Sequence, residues 1–317
     1  MITLADVIEA NETIIGSVRR TPLIRFDVDA PCEIYLKLEN LQQIGSFKIR
    51  GAANAMSHMS EKLLRSGVLT ASAGNMAQGV AWMAREKNID CTIIVPETAP
   101  AAKIEAIERL GGSVIGVPFD EWWQTFETRR FPGVNAAFVH AFDDPHVMAG
   151  NGTIALEIVE DLPDVDAVVI PWGGGGLACG IAAAMRELRP MCRIYAAEVD
   201  SAAPLGVSMA AGKPQVAEHT ASFVDGIGSK TVFPQMLEIA MKLLDGVIAA
   251  SLDEVASVMR LMAVRSRIIS EGAGAVAAAC AIAGRARHGR IACIVSGGNI
   301  DLDKFCTIMS RGKAPDQ

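Results

Sequence analysis

The chain has 317 residues, 50% hydrophobic and 21% charged, so it is long enough and apolar enough to bury a large core. Its formal net charge of -7 argues against a nucleic-acid partner, and no apolar run reaches the length of a membrane span. Seven scattered cysteines without a C-x-x-C pair argue against a disulfide framework or a zinc site. The amino terminus lacks the pattern of a signal peptide, so we expect a cytoplasmic protein.

Short apolar strands alternate with helices along the first half of the chain. Helices are predicted at residues 3–16, 48–65, 76–87, 101–110 and 121–130, and strands at residues 33–38, 68–71, 91–95, 113–117 and 137–140. Thr3 is placed to cap the first helix, with Asp6 in its first turn. This alternation predicts βαβ units and a parallel sheet.

The second half continues the same rhythm. Strands are predicted at residues 167–170, 194–198, 247–250 and 291–295, and helices at residues 177–188, 251–269 and 275–284. Ser251 and Glu254 have the spacing of a capping box. Only residues 313–317 are predicted to be frayed. We predict an α/β protein of two domains, although composition alone does not mark the linker.

Lys48 stands in the segment Gly-Ser-Phe-Lys-Ile-Arg-Gly, directly between Phe47 and Ile49. Apolar surroundings disfavour the ammonium form and lower the pKa of a lysine. The free amine that results can form a Schiff base with an aldehyde cofactor such as pyridoxal 5'-phosphate (PLP). Taken alone, the pattern also fits an ordinary surface lysine.

A glycine run follows the strand predicted at residues 167–170 and precedes a helix. It comprises Gly173, Gly174, Gly175 and Gly176 and is followed by Leu177. Successive backbone amides and a helix N-terminus favour a phosphate group, the alternative being a flexible turn. The run lacks the lysine of a nucleotide P-loop and the G-x-G-x-x-G spacing of a dinucleotide site.

Two further segments lie at predicted strand ends. The small residues of Ser72, Ala73, Gly74, Asn75 and Met76 free backbone amides for a substrate carboxylate, and Asn75 can donate to a ring hydroxyl or simply cap a helix. Ser296 follows the strand at residues 291–295, where α/β folds bind ligands. Its neutral hydroxyl would not enforce protonation of a pyridine nitrogen, and the alternative is a turn residue.

The four motifs G-S-F-K-x-R-G, S-A-G-N-x-A-Q, G-G-G-G-L and S-G-G-N, in this order, resemble the fold-type II PLP enzymes. The threonine/serine dehydratases and serine racemases are the most similar branch. The resemblance covers nearly the whole chain. It implies a tryptophan synthase beta-like α/β fold with mainly parallel sheets flanked by helices. The large PLP-binding domain would span residues 1–40 plus 143–317, and the small domain residues 41–142.

The resemblance also implies roles. Lys48 is the catalytic residue that carries the cofactor, with Phe47 beside it; Asn75 lies at the cofactor hydroxyl, Gly173 to Leu177 at its phosphate, and Ser296 at its ring nitrogen. The loop from Ser72 to Met76 holds the substrate carboxylate. The implied activity is a PLP-dependent lyase that eliminates water from a β-hydroxy-α-amino acid, giving a 2-oxo acid and ammonia. We expect a small-molecule amino-acid substrate, no nucleic-acid or membrane partner, and a homodimer.

Some positions depart from this pattern or leave alternatives open. Racemases of the family carry a serine where this chain has Ala73. The family's divalent-cation site would begin at Glu198, but its third ligand position is Pro204, so we interpret Glu198 and Asp200 as solvated loop carboxylates and expect no metal. The segment from Asp120 to Trp123 resembles hydroxyectoine-utilisation dehydratases, and Trp122 and Trp123 serve as packing or as a lid. A racemase, a β-replacement synthase and a non-enzymatic PLP-binding protein remain alternatives.

Overall fold

The computed structural model describes residues 1–286 and 289–314. Its strands are β1 (Leu23–Phe26), β2 (Glu33–Lys37), β3 (Val68–Ala71), β4 (Cys91–Pro96), β5 (Ser113–Val117), β6 (Ala137–Phe138), β7 (Ala167–Pro171), β8 (Arg193–Val199), β9 (Gly246–Ala250) and β10 (Arg290–Ile294). The predicted frayed end, residues 313–317, falls mostly outside the described residues, because the description stops at residue 314.

Thirteen α-helices connect these strands within the described part of the chain. They are α1 (Leu4–Thr13), α2 (Lys48–Ser57), α3 (Glu61–Leu64), α4 (Asn75–Glu86), α5 (Ala101–Arg109), α6 (Phe119–Thr128), α7 (Pro145–Asp161), α8 (Gly176–Leu188), α9 (Pro204–Ala211), α10 (Pro234–Leu243), α11 (Leu252–Leu261), α12 (Gly272–Ile282) and α13 (Leu302–Arg311). A short 3-10 turn (Glu39–Leu41) follows β2, and a π-helical turn (Met262–Ser266) follows α11.

The strands form two separate sheets. A six-stranded sheet has the order β1-β2-β10-β7-β8-β9 and is parallel except for β1, which pairs antiparallel with β2. A four-stranded sheet has the order β5-β4-β3-β6 and is parallel throughout. The predicted α/β class with mainly parallel sheets is confirmed. All strands of the smaller sheet come from residues 41–142, whereas the domain boundaries themselves stay a prediction.

Two predicted helices need correction, and one strand was not predicted. The helix predicted at residues 48–65 is two helices, because Ser60 interrupts it and its hydroxyl caps α3 by accepting from the Leu63 amide. The helix predicted at residues 251–269 ends at Leu261, and the π-helical turn that follows stops at Arg267, which is left-handed with φ of 60°. Strand β1 begins directly after Pro22, at an edge of the sheet where the missing proline amide costs no ladder hydrogen bond.

Helix α7 was not predicted, since Gly150 and Gly152 resemble helix breakers in the sequence. In the fold these glycines let α7 pack closely against its neighbours. A Cβ atom at Gly150 would collide with the carbonyl oxygen of Arg50 on α2, and one at Gly152 would lie 2.8 Å from the carbonyl oxygen of Gly180 on α8. The same close packing brings α2, which begins at Lys48, against the helical layer of the larger sheet.

Four buried charged side chains join β2, α2 and α7. We call them the buried charge network: Lys37, Glu39, Arg50 and Glu157. Arg50 donates to both carboxylate oxygens of Glu39, each at 2.8 Å, and to Glu157 at 2.7 Å. Lys37 donates to Glu157 at 2.5 Å, so the two cations and two anions balance. The network fixes α2 only two residues beyond Lys48.

Candidate active site

Lys48 is the first residue of α2 and is half-buried. Its Nζ donates to the carbonyl oxygen of Ala141 at 2.7 Å and lies 5.2 Å from the centre of the Phe47 ring. Within the described residues no carboxylate pairs with this amine. Burial lowers the pKa of Lys48 to about 8, although the more distant Glu271 carboxylate opposes that change. About a tenth of the Lys48 amine is therefore unprotonated at pH 7, far more than for an ordinary lysine of pKa near 10.4.

The Lys48 segment lies directly against the segment that contains Ser296. The Phe47 amide donates to the carbonyl oxygen of Ser296 at 3.0 Å, and the Gly298 amide donates to the carbonyl oxygen of Gly45 at 2.8 Å. Ser296 is buried just beyond β10, at the carboxyl end of the larger sheet. Two residues that are far apart in the sequence, Lys48 and Ser296, thus belong to one site.

Asn75 is the first residue of α4, which packs against the start of α2: a Cβ atom at Gly79 would lie 3.3 Å from the carbonyl group of Lys48. The Asn75 side chain does not cap its own helix. Its Oδ1 accepts from Asn299 at 2.7 Å, and its Nδ2 donates to Glu271 at 2.9 Å. The capping alternative is therefore wrong, and the amide belongs to a polar cluster beside Lys48.

The loop predicted to hold a substrate carboxylate connects β3 with α4. Its residues Ser72, Ala73, Gly74 and Asn75 are half-buried. The Ser72 hydroxyl accepts from the Gly74 amide at 3.2 Å, which keeps the loop tightly folded. The side chain of Met76 is buried in the hydrophobic cluster beside the smaller sheet, so Met76 can offer a ligand only its backbone.

The glycine run connects β7 with α8, as predicted. Gly175 has φ of +92°, a conformation that side chains rarely adopt. A Cβ atom at Gly174 would collide with the Phe142 ring, and one at Gly175 with the Trp172 ring. One at Gly176 would lie 2.8 Å from the Phe142 backbone. Glycine is therefore required at these positions, and the run lies at the N-terminus of α8, where backbone amides favour a phosphate.

The segment after β6 links Lys48 to the glycine run. Ala141 accepts the hydrogen bond from Lys48, and the neighbouring Phe142 packs on the glycines. His140 holds this segment in place because its Nδ1 accepts from the Asp143 amide at 2.7 Å. Burial lowers the pKa of His140 to about 3, with Arg129 lowering it further, so the ring stays a neutral acceptor. No ligand spacing in the sequence singles out His140.

Trp122 and Trp123 lie in a cluster of aromatic rings that reaches Phe142. The Trp123 ring lies 5.7 Å from Phe126 and 6.1 Å from Phe233, and Phe126 lies 5.6 Å from Phe142. Helix α6, which carries both tryptophans, belongs to the smaller sheet, whereas Phe233 directly precedes α10 beside the larger sheet. The cluster therefore bridges the two sheets near Lys48, and a lid role stays a prediction.

The interpretation of Glu198 as a solvated loop carboxylate is wrong. Glu198 lies on β8 and is only 1% exposed, and its carboxylate accepts from the amides of Leu205 at 2.8 Å and Gly206 at 2.9 Å. These bonds hold the start of α9, while burial raises the pKa of Glu198 to about 7. Asp200 is exposed, as expected. Across the described residues, no three His, Cys, Asp or Glu side chains are grouped to hold a metal.

Glu271 directly precedes α12 and is a site residue that the sequence analysis missed. It is 8% exposed and accepts the hydrogen bond from Asn75. Burial raises the pKa of Glu271 to about 7; Asp225 raises it further, and the bond from Asn75 opposes them. The site thus contains one strongly perturbed carboxyl group and one strongly perturbed amine.

These residues fit a phosphorylated aldehyde cofactor by their chemistry. Lys48 offers an amine of lowered pKa, and the glycine run offers backbone amides at the N-terminus of α8. Asn75 retains one amide hydrogen beyond the one given to Glu271, and Ser296 offers a neutral hydroxyl. The fold and the site together define an α/β enzyme built around a lysine-bound, phosphate-bearing cofactor.

Comparison with known proteins identifies the class. Residues 14–297 match the family described as pyridoxal-phosphate dependent enzymes, so the chain belongs to that family and its cofactor is PLP. The chain is 40% identical over 318 residues to the L-threonine ammonia-lyase of Thermotoga maritima, covering 98% of this chain and 79% of the relative. It is 36% identical over 325 residues to the L-threonine dehydratase catabolic TdcB of Staphylococcus aureus, covering 98% and 93%.

Solved structures agree on the fold. Maize serine racemase superposes with a TM-score of 0.90 at 29% identity, covering 98% of this chain and 97% of that one.

The family match and the two curated relatives together make the chain a PLP-dependent lyase of the threonine ammonia-lyase and dehydratase kind. Among the described helices, none is both long and apolar enough to cross a membrane.

Proposed function

We propose that this enzyme is a dehydratase that converts a β-hydroxy-α-amino acid, threonine or serine, to a 2-oxo acid and ammonia. The Lys48 amine carries this proposal: it is held on the Ala141 carbonyl, has no carboxylate partner among the described residues, and has a pKa lowered to about 8. Such an amine can both attach the cofactor and act as a base. The ammonia-lyase and dehydratase relatives at 40% and 36% identity support the same reaction.

In this proposal Lys48 moves the proton and the cofactor accepts the electron pair. The bound cofactor supplies a conjugated ring that accepts the electron pair left at the substrate Cα. Lys48 takes the Cα proton and can pass it to the departing β-hydroxyl group, which leaves as water. The remaining enamine hydrolyses to the 2-oxo acid and ammonia, so the atoms balance.

The other proposed residues bind and orient. The amides from Gly173 to Leu177 hold the phosphate, Asn75 donates to the ring hydroxyl, and Ser296 faces the ring nitrogen. Phe47 packs beside the lysine. The loop from Ser72 to Met76 holds the substrate carboxylate through its half-buried backbone.

A finer proposal concerns the substrate. The Asp120 to Trp123 segment resembles hydroxyectoine-utilisation dehydratases, which favours a hydroxy amino acid derived from hydroxyectoine. The supporting contact is the aromatic cluster, in which Trp123 and Phe126 extend to Phe142 beside the Lys48 acceptor. Aromatic faces of this kind suit a substrate with an apolar or cationic extension better than they suit serine.

The test is a panel of hydroxy amino acids. The purified holoenzyme is given L-threonine, L-serine, their D-forms and longer β-hydroxy amino acids, and release of 2-oxo acid and ammonia is measured. Equal amounts of both products from at least one of them support a dehydratase. Inversion without oxo-acid release would instead support a racemase, and turnover of no compound would refute threonine, serine and their longer analogues as substrates.

We also propose the domain division at residues 1–40 plus 143–317 and 41–142, a homodimeric state and a cytoplasmic location. The two sheets, whose strands divide along these boundaries, support the first of these. Limited proteolysis and sedimentation equilibrium test the domains and the dimer. A single monomeric species at micromolar concentration would refute the dimer.

A further inference from the structure

Three polar side chains form a hydrogen-bonded chain next to Lys48. Asn299 Nδ2 donates to the carbonyl oxygen of Ile44 at 2.8 Å and to Asn75 Oδ1 at 2.7 Å. Asn75 Nδ2 in turn donates to Glu271 Oε1 at 2.9 Å. An amide group has separate donor and acceptor ends, so these contacts at both ends fix which way the Asn75 side chain faces.

The fold makes room specifically for the Glu271 carboxylate. A Cβ atom at Gly297 would lie 2.5 Å from Glu271 Oε1, and one at Gly226 would lie 3.5 Å from it. The Glu271 amide donates to the carbonyl oxygen of Gly297 at 3.1 Å, which holds the Glu271 backbone against the segment that contains Ser296. A buried carboxyl group is costly unless it is satisfied, so its retention here needs a reason.

The electrostatics of the site provide that reason. Glu271 is the charged group that favours the ammonium form of Lys48, in opposition to burial. Asp225 and Lys103, which pair with each other at 2.8 Å, are the neighbouring charges that act on Glu271. The Glu271 carboxylate therefore acts on Lys48 through its charge and on the Asn75 side chain through a hydrogen bond.

We propose that Glu271 is a positioning residue of this active site: its carboxylate fixes the amide of Asn75 and balances the charge of Lys48. The donor left on Asn75 is thereby held ready for the cofactor hydroxyl. The proposal rests on PLP as the cofactor and not on which amino acid is the substrate. Its tests use the full-length chain and need no turnover.

The charge role is tested with Glu271→Gln, which keeps a hydrogen-bond acceptor but removes the anion. Competitive acetylation of the cofactor-free chain across pH, followed by mass spectrometry, reports the midpoint of Lys48. Loss of the anion destabilises the ammonium, so that midpoint is expected at lower pH than in the unmodified chain. Glu198→Gln is the matched control, because Glu198 is also a buried carboxyl but caps α9. An identical Lys48 midpoint in Glu271→Gln and Glu198→Gln overturns the charge role.

The orienting role is tested with Glu271→Ala and Asn299→Ala, which release Asn75 from opposite ends. Each is expected to weaken PLP binding about tenfold, which corresponds to about 1.4 kcal/mol, since one oriented hydrogen bond is lost. Asn299→Ala should leave the Lys48 midpoint unchanged, which separates orientation from charge. Unaltered PLP affinity in both variants, with folding verified by circular dichroism, overturns the orienting role whatever the substrate proves to be.

Discussion

Lys37 is fully buried and Lys48 is half-buried, and the two lysines have opposite surroundings. Lys37 donates to Glu157 and to the carbonyl oxygen of Thr21, both at 2.5 Å, inside the buried charge network. Lys48 has only the Ala141 carbonyl as a hydrogen-bond partner among the described residues. Burial lowers the pKa of both lysines, but for Lys37 the Glu157 and Glu39 carboxylates oppose it directly, whereas for Lys48 the opposing carboxylate is more distant.

The difference shows how one fold assigns two tasks to the same residue type. A lysine between carboxylates is held as a cation and contributes to structure, because removal of its partner would leave a buried charge. A lysine on a carbonyl can lose its proton at little cost. Arg50 connects the two cases, since it belongs to the buried charge network and lies on the helix that begins with Lys48.

The largest effect is expected for Lys48→Ala. Turnover should fall at least about 100-fold, because the base that takes the Cα proton is lost, and the visible band of lysine-bound PLP should vanish. Steady-state assays and absorption spectra measure both. Lys37→Met is the matched control: its folded fraction should keep the band. Near-native turnover in Lys48→Ala would show that another amine serves the cofactor.

Arg50→Met tests how much the buried charge network stabilises the fold. It leaves Glu39 and Glu157 with fewer partners in the core, so the free energy of unfolding is expected to fall by about 3–5 kcal/mol. Urea titration of the full chain measures this. Arg65→Met removes only an exposed pair with Glu61 and should cost less than about 0.5 kcal/mol. Equal costs for the two variants would mean that the buried charge network contributes little.

The parts of the candidate active site that contain a local sequence motif could be predicted. Lys48, the glycine run and Ser296 each stand next to a strand or helix end, and parallel sheets gather such ends at one edge, which explains why the fold brings them together. The contact between Asn75 and Glu271 spans 196 positions of sequence, and no local pattern predicts such a pair. The same holds for Ala141, whose backbone oxygen is available to Lys48 whatever its side chain.

The fold was predictable to a similar degree, for a related reason. Strand β3 and strand β5 have the predicted bounds, because short apolar runs between turns identify buried strands. Helix α7 was missed since its glycines are required by contacts with α2 and α8, which the sequence does not display. The buried charge network was missed as well, because charged residues in a sequence are ordinarily assigned to the surface.

Ser296→Asp would make the Lys48 site resemble the Lys37 site by adding a carboxylate. In the proposed arrangement the new anion would favour protonation of the ring nitrogen and also stabilise the ammonium form of Lys48. Elimination is expected to slow about tenfold, an effect of about 1.4 kcal/mol on the barrier. The rate and the visible spectrum at constant pH measure it, with Ser296→Ala as the neutral control. Unchanged behaviour would remove Ser296 from the ring nitrogen.

A carboxyl group with a lowered pKa and one with a raised pKa should contribute to stability with opposite pH dependence. Burial raises the pKa of Glu39, but Arg50 outweighs it and holds that pKa below the ordinary 4.5, so its stabilising contribution is lost as pH falls below that value. The pKa of Glu271 is raised from 4.5 to about 7, so its contribution is present below pH 4.5 and is lost as pH rises toward 7.

Chemical unfolding between pH 4.5 and 7 tests these signs. Glu271→Gln should flatten the decline of stability with rising pH by up to about 1.4 kcal/mol per pH unit, whereas Glu39→Gln should leave the slope in this window nearly unchanged. Glu198→Gln should act like Glu271→Gln, because the pKa of Glu198 is raised to about 7 as well. A steeper decline in Glu271→Gln would contradict the sign for that group.

The smallest effect concerns the face of the substrate opposite Lys48. Racemisation needs one group to remove a proton from Cα and a second group to return a proton on the other side. In the resembling racemases a serine hydroxyl serves that second face, whereas the methyl group of Ala73 cannot exchange a proton and offers water no partner. Elimination needs only Lys48 and a leaving hydroxyl, so it should proceed without inversion.

Ala73→Ser tests whether a single hydroxyl supplies the missing group. Ala73 is half-buried in the loop whose Ser72 hydroxyl is already bonded to the Gly74 amide, so the neighbouring serine does not simply replace it. We expect dehydration with negligible racemisation from the unmodified enzyme, and slow racemisation gained in Ala73→Ser. Chiral chromatography of the remaining substrate during turnover measures both. Ala73→Val is the control, because it enlarges the side chain without adding a hydroxyl group. Accumulation of the opposite enantiomer by the unmodified enzyme would show that a group other than residue 73 delivers the second proton, and the two-face assignment would then be wrong.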